Sequence, residues 1–187
     1  EEEYKKHLVV EELWGEKGYT VIERTGARPT LDCNGIWGGF SGAGAKTIIP
    51  SKASAKISMR LVANQNPTKI GQQFKDFVES VAPKSVKVKV TDVHGAEACL
   101  VPLESKAITA ATNALSRAFG KDTVYIREGG SIPVVAKFKK YLGADAVLMG
   151  LGLNTENLHS PDEHFDLNHF RLGIISSAWF MEEYAKK

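Results

Sequence analysis

The stretch Ala53-Ser-Ala-Lys-Ile-Ser-Met-Arg-Leu-Val62 decides the first half of the chain. Ile57, Met59 and Leu61 alternate with Lys56, Ser58 and Arg60. A period of two places the apolar set on one face of a strand and the polar set on the other. Downstream, Pro67 opens a segment whose apolar positions, Ile70, Phe74, Phe77, Val78 and Val81, follow helical spacing. Val86, Val88 and Val90 set against Lys87 and Lys89 predict another alternating strand. Strand, helix and strand with one polar sheet face describe a small α+β layered unit. Upstream, helix formers over residues 2–13 predict a short helix, broken up by Gly15, Gly18 and Thr25-Gly26. Arg28-Pro29 is extended, and Thr30 to Trp37 reads as a strand.

After Pro102 the rhythm changes to helix, strand, helix, strand, helix. Ile108, Ala111, Leu115 and Phe119 stripe a helix over about 104–119, and Pro133 starts one that runs to about Tyr141. Phe170, Ile174, Ala178 and Met181 stripe a last helix. Thr123 to Ile126 and Ala144 to Met149 are short and mostly apolar, as strands covered on both faces are. This half therefore reads as part of a parallel α/β sheet flanked by helices, with only two of its strands.

Composition narrows the function classes. The 187 residues carry 24 Lys+Arg against 22 Asp+Glu, a net charge of +2. That length suits one domain or two small ones. The charge supplies no field that argues for nucleic acid, and no basic tail is present. The longest nearly apolar run, Ala146 to Leu153, falls far short of the ~20 residues that span a bilayer. Cys33 and Cys99 make neither a disulfide framework nor a four-cysteine zinc site. They read as small buried hydrophobes in a reducing compartment. The opening Glu-Glu-Glu-Tyr, without initiator Met or signal segment, reads as an interior cut point in a longer protein.

Four stretches carry candidate chemistry. Gly38-Gly-Phe-Ser-Gly-Ala-Gly-Ala-Lys-Thr47 nearly spells a phosphate loop, but Ala45 stands where the lysine must follow Gly44, and no helix comes next. It reads as a connection between two strands, or as a glycine loop that delivers Thr47 to a ligand. Arg127-Glu-Gly-Gly-Ser-Ile-Pro133 places glycines between an apolar segment and a helix start, where backbone N–H groups can hold a carboxylate or oxyanion. Leu158-His-Ser-Pro-Asp-Glu-His-Phe-Asp166 puts His159 on a loop, with Asp162 and Glu163 beside it. Imidazole suits zinc, and a polar loop capping the last helix is the competing reading. Arg60 lies on the polar strand face, where a guanidinium is either simply solvated or grips a carboxylate with its bidentate fork. His7, His94 and His169 stand alone and read as surface or hydrogen-bonded histidines. Glu11-Glu12, Glu182-Glu183 and His164-x-Asp166 are not assigned to the site.

In order, GGFSGAGAKTIIP, KISMRLVANQNP, REGGSIPV and NLHSPDEHF resemble the zinc-dependent dipeptidases of the carnosinase and cytosolic non-specific dipeptidase type. These belong to the superfamily of aminoacylase, acetylornithine deacetylase and succinyl-diaminopimelate desuccinylase. The resemblance, to the C-terminal portion of such enzymes, implies two pieces. Residues 1–100 are expected to be the later part of an α+β two-layer lid and dimerisation domain. Residues 101–187 are expected to be the C-terminal part of an α/β catalytic domain, a parallel sheet flanked by helices.

By the same resemblance His159 is a metal ligand, Arg60 and Thr47 bind the substrate carboxylate, and Gly130 and Ser131 hold the substrate backbone. The family's remaining metal ligands and its general base have no counterpart here, so no catalytic residue is assigned and the isolated chain is expected to be inactive. The implied cofactor is zinc, two ions per complete site, with manganese as the alternative. The implied partners are a dipeptide substrate, a second copy through the lid, and an N-terminal part of the same protein, with no nucleic acid and no membrane. The implied location is cytoplasmic. A non-catalytic oligomerisation module and an N-acyl amino acid deacylase are the alternatives.

Overall fold

A computed structural model describes residues 1–128 and 132–186. The chain forms two compact units. One comprises Glu1–Cys99 with Ile126–Ala136, the other Leu100–Tyr125 with Lys137–Lys187.

The first unit opens with α1 (Glu2–Leu8), whose Glu2 and Glu3 in the first turn and Lys5 and Lys6 in the last complement the helix dipole. It ends earlier than the composition of residues 2–13 suggests, because Val9 turns left-handed (φ 56°). A short α2 (Val21–Gly26) follows inside the stretch expected to be irregular. Its cause is a capping box: Thr20 Oγ1 accepts from Glu23 N at 3.3 Å, and Thr20 N donates to the Glu23 carboxylate at 2.7 Å. Next to it, Arg28 forks onto Glu16 at 2.7 and 2.8 Å and stacks over the Tyr19 ring at 4.4 Å.

Strands β1 (Thr30–Gly38) and β2 (Ala53–Arg60) pair antiparallel. Leu31 faces Met59 and Cys33 faces Ile57. A bulge then interrupts the register, so that Gly35 faces Lys56 and Ile36 faces Ala55. Helix α3 (Pro67–Val81) is capped by the Asn66 side chain, which accepts from Lys69 N at 2.9 Å, and has proline in its first turn. Ile70, Phe74 and Val78 are half-buried, whereas Phe77 and Val81 of the same stripe are exposed. The expected strand over Val86–Val90 does not form among the described residues.

In the second unit, α4 (Lys106–Phe119) and α6 (Leu167–Ala185) pack against each other. Ser105 caps the first through Ile108 N, and Asp166 caps the second through His169 N at 2.8 Å. The residues buried on these helices are small: Ala110, Ala111 and Ala114 on one, Gly173 and Ser176 on the other. Ser176, fully buried, donates its hydroxyl to Leu172 O at 2.6 Å, so no polar hydrogen is stranded. After Gly120 (φ 63°) closes α4, a chain of hydroxyls fastens the following segment to it. Ser116 and Thr123 meet at 2.9 Å, Thr123 donates to Thr112 O at 3.0 Å, and Thr112 meets Tyr125 at 2.7 Å. Helix α5 (Pro133–Leu142), whose residues are divided between the two units after Ala136, opens on its proline.

Further expectations are corrected. Cys33 is exposed and Cys99 half-buried, so neither is a fully buried hydrophobe. The stripe Phe170, Ile174 and Met181 does not form the buried face of α6, for these side chains are 58%, 60% and 71% exposed. The helix is apolar on more than one side, and its buried positions are small: Ser176, and Gly173, which lies close against Leu151. Nor do residues 123–126 and 144–149 form a parallel sheet, since the only ladder among the described residues is the β1–β2 hairpin. An apolar run becomes a strand only where a neighbour accepts its backbone hydrogen bonds. The observed architecture is therefore mixed, helices with one small antiparallel sheet. No described helix is long and apolar enough to cross a membrane.

Candidate functional site

Arg60 closes β2 directly opposite Thr30, and its side chain is exposed. Residues facing each other in the ladder share a face, so Thr30, Asp32, Trp37, Ser54, Lys56, Ser58 and Arg60 form one polar sheet surface. Lys56 lies over the Trp37 ring at 5.9 Å, and Thr30 donates to Asp32 at 2.7 Å. Arg60 is thus presented outward on rigid backbone among groups that hydrogen-bond, a setting in which a planar fork can take a carboxylate.

Thr47 lies in the connection that leaves β1 at Gly38 and enters β2 at Ala53. Gly39 (φ +70°) and Gly44 (φ +82°) adopt backbone angles that other residues resist, which is why this segment is glycine-rich. A strand follows it, as the spacing predicted, and no helix N-terminus for a phosphate. Thr47 is exposed. Gly130 and Ser131 lie outside the described residues.

His159 is exposed on the loop that precedes α6, with a left-handed backbone (φ 60°). The loop is organised by Glu156, which is only 6% exposed. Its carboxylate accepts from Leu153 N at 2.9 Å and from Asp166 N at 2.7 Å. These two amides hold the Glu156 carboxyl below the usual carboxylate range, against burial, and His164 and His169 add to the effect. Sequence reasoning missed this residue, because its partners are backbone amides that no local pattern announces.

The other ligand-like pair is absorbed by the loop itself. Asp166 is the cap of α6, and the His164 ring nitrogen Nδ1 lies 2.9 Å from Asp162 O. His169 Nδ1 lies 2.9 Å from Leu151 O, and its ring meets Phe119 edge-on at 5.2 Å, as a hydrogen-bonded structural histidine.

Among the described residues no three His, Cys, Asp or Glu side chains converge as a metal site. An exposed loop imidazole fits one corner of such a site and supplies one donor, so a full coordination shell needs groups beyond this set.

Residues 3–86 match the peptidase dimerisation domain. The Cys-Gly metallodipeptidase dug1 of Schizosaccharomyces pombe is 32% identical over 160 residues, covering 84% of this chain and 34% of that protein. The human (Homo sapiens) Beta-Ala-His dipeptidase is 28% identical over 185 residues, covering 97% of this chain and 36% of that protein. The crystal structure of the M20 family metallo-carboxypeptidase Sso-CP2 from Sulfolobus solfataricus superposes with a TM-score of 0.83 at 26% identity, covering 98% of this chain and 42% of that one. The chain spans about a third of the length of the curated relatives it matches. Residues 3–86 are thus similar to a peptidase dimerisation domain, and most of the chain is similar to the C-terminal part of metallodipeptidases of the Cys-Gly and Beta-Ala-His type.

Proposed function

We propose that this chain is the C-terminal part of a dinuclear zinc metallopeptidase that hydrolyses dipeptides or other short peptides. The supporting observation is homology to metallodipeptidases over 84–97% of the chain, with Arg60, Thr47 and His159 all exposed on a strand end or a loop. Residues 1–100 are assigned to the later part of a lid and dimerisation domain, through which two copies pair. Residues 101–187 are assigned to the end of a catalytic α/β domain, whose segments 123–126 and 144–149 find ladder partners in the rest of that domain. The whole is assigned to the cytoplasm.

Each residue has a simple task in this reading. Arg60 receives the substrate's terminal carboxylate through two parallel N–H donors, and the Thr47 hydroxyl steadies the same end. Gly130 and Ser131 hold the peptide backbone. Among the described residues, His159 is the donor assigned to a metal ion, zinc or manganese. Metal ions in such a site polarise the scissile carbonyl and lower the pKa of a bound water. The general base lies outside this chain.

One donor does not retain an ion, so the isolated chain is expected to bind zinc weakly and to hydrolyse nothing. The test is an assay of Cys-Gly and β-Ala-His hydrolysis with added zinc, by the purified 187-residue chain and by the same chain joined to an upstream metallopeptidase half. Activity only in the joined protein supports the proposal. Turnover by the chain alone, or none by the joined protein, overturns it. A second reading, a non-catalytic lid and oligomerisation module, is favoured by the missing cluster of three donors among the described residues. That outcome leaves the joined protein dimeric and silent towards dipeptides and acylated amino acids, whereas hydrolysis of acylated amino acids alone indicates a deacylase.

A further inference from the structure

We infer that Glu156 is a positioning residue, whose carboxylate fixes the loop that presents the His159 imidazole. This rests on the reading of His159 as a metal donor.

The loop between Leu153 and Asp166 contains three non-glycine residues with left-handed backbone: Asn157 (φ 53°), His159 (φ 60°) and Asp162 (φ 61°). Such conformations are sparsely populated and persist only where the surroundings over-determine them. Glu156 provides that constraint. One carboxylate oxygen takes Leu153 N at the loop's start, and the other takes Asp166 N at its end, ten residues beyond Glu156. The main chain of Glu156 adds two bonds: its N–H donates to Leu153 O at 3.2 Å, and its carbonyl accepts from His164 N at 3.1 Å. Ser160 N closes the turn around His159 by donating to Asn157 O at 2.9 Å. Gly152 leaves the carboxylate its space, since a Cβ there comes within 3.2 Å of Glu156 Oε2.

Two separate N–H donors on two separate oxygens require a carboxylate. A glutamine has one acceptor oxygen and turns its own NH2 against the second amide, which strands a donor inside the loop. Loss of one tie frees the segment 157–162 to relax into ordinary backbone angles, and the direction of the imidazole is no longer set. Groups that orient a metal ligand from behind are worth roughly 10–100-fold in metal affinity.

The experiment uses the joined dipeptidase, stripped of metal, with zinc affinity read by competition against a chromophoric chelator. Glu156→Gln is expected to bind zinc ~10–100-fold more weakly. It is also expected to lose hydrogen-exchange protection at the Leu153 and Asp166 amides, with kcat falling and KM little changed. Ser105→Ala, which weakens the cap of α4, controls for general destabilisation and is expected to lower the melting temperature with zinc affinity intact. Unchanged zinc affinity in Glu156→Gln, with the two amides deprotected, overturns the inference. If Glu156→Gln does not fold, Glu156→Asp, one methylene shorter and unable to span both amides, is read in the same way. His159→Ala separates the premises: unchanged zinc affinity there removes the metal-donor reading, whereas a loss there beside none at position 156 removes only the inference.

Discussion

Trp37 and Lys56 share one face of the hairpin, with the ammonium 5.9 Å from the ring, because one extra residue at the bulge reverses the alternation of β1. Without it Trp37 would face Ala53, and Ile36 would join the polar side. With it Ile36 faces Ala55, on the surface that also holds Leu31, Cys33, Ile57 and Met59. The bulge therefore keeps the two faces chemically distinct, and Arg60 stays among polar neighbours.

The apolar face remains open to solvent in this chain: Ile36 is 80% exposed, and Leu31 and Ile57 are exposed beside it. Contiguous apolar surface of this kind drives association. The isolated chain is expected to bind a hydrophobic dye such as ANS and to self-associate at micromolar concentration. Ile36→Lys is expected to reduce both, as read by dye fluorescence and sedimentation velocity. Dye binding and sedimentation identical in the two proteins would show that this face is covered in solution.

Gly26, the last residue of α2, lies against the Arg127 carbonyl. A Cβ at position 26 would come 2.0 Å from that oxygen and 2.9 Å from its carbon. Alanine gains up to about 1 kcal/mol of helix propensity over glycine. Overpacking against backbone, which cannot rotate away, costs about 1–3 kcal/mol, and contact this close belongs at the upper end. Gly26→Ala is expected to destabilise the chain by about 2 kcal/mol in a denaturant melt. A midpoint equal to or above that of the parent contradicts the close approach.

What the sequence disclosed and what it hid follow one physical division. Helix α3 was legible because both its signals are local, the Asn66-Pro67 start and the stripe through Ile70, Phe74 and Val78. The helix α2 carried a local signal as well, Thr20 and Glu23 three apart, which the neighbouring glycines masked. Helix α6 was legible as a helix while its inner face was not, since apolar residues lie on several sides and the neighbours that select a side, such as Leu151 against Gly173, are distant in sequence. Strands over 86–90, 123–126 and 144–149 depend on ladder partners, which local sequence does not contain. Arg60, Thr47 and His159 were legible as polar groups on a strand and on loops, and their tasks came from the resemblance. Glu156 was silent because its partners are backbone groups at positions 153 and 166.

The two caps of the second unit invite a direct comparison. Ser105 and Asp166 each satisfy an otherwise unpaired backbone N–H, at Ile108 and His169. Replacing either with alanine is expected to cost about 1 kcal/mol. Asp166 also places negative charge at a helix N-terminus, which adds about 0.3–1 kcal/mol at low salt. Asp166→Ala is thus expected to be the more damaging, with the gap narrowing as salt is raised in urea melts. A salt-independent gap would remove the dipole contribution.

Glu156 makes one contribution of definite sign to the chain's acid response. Its carboxyl is held below the usual range by the amides of Asp166 and Leu153, outweighing burial, with His164 and His169 assisting. A group depressed in the folded state stabilises that state above its unfolded value, about 4.3 for glutamate. The contribution is whole at neutral pH and fades as pH falls through the lower, folded value, where the unfolded chain takes up the proton first. Glu156→Gln has no proton to bind at this position. The stability difference between parent and variant is therefore expected to be flat from pH 7 to about 5 and to shrink as the pH is lowered further, measured by urea melts at each pH. A difference that grows towards acid would mean that the carboxyl is raised, and the pairing of its two oxygens with Leu153 and Asp166 would then be wrong.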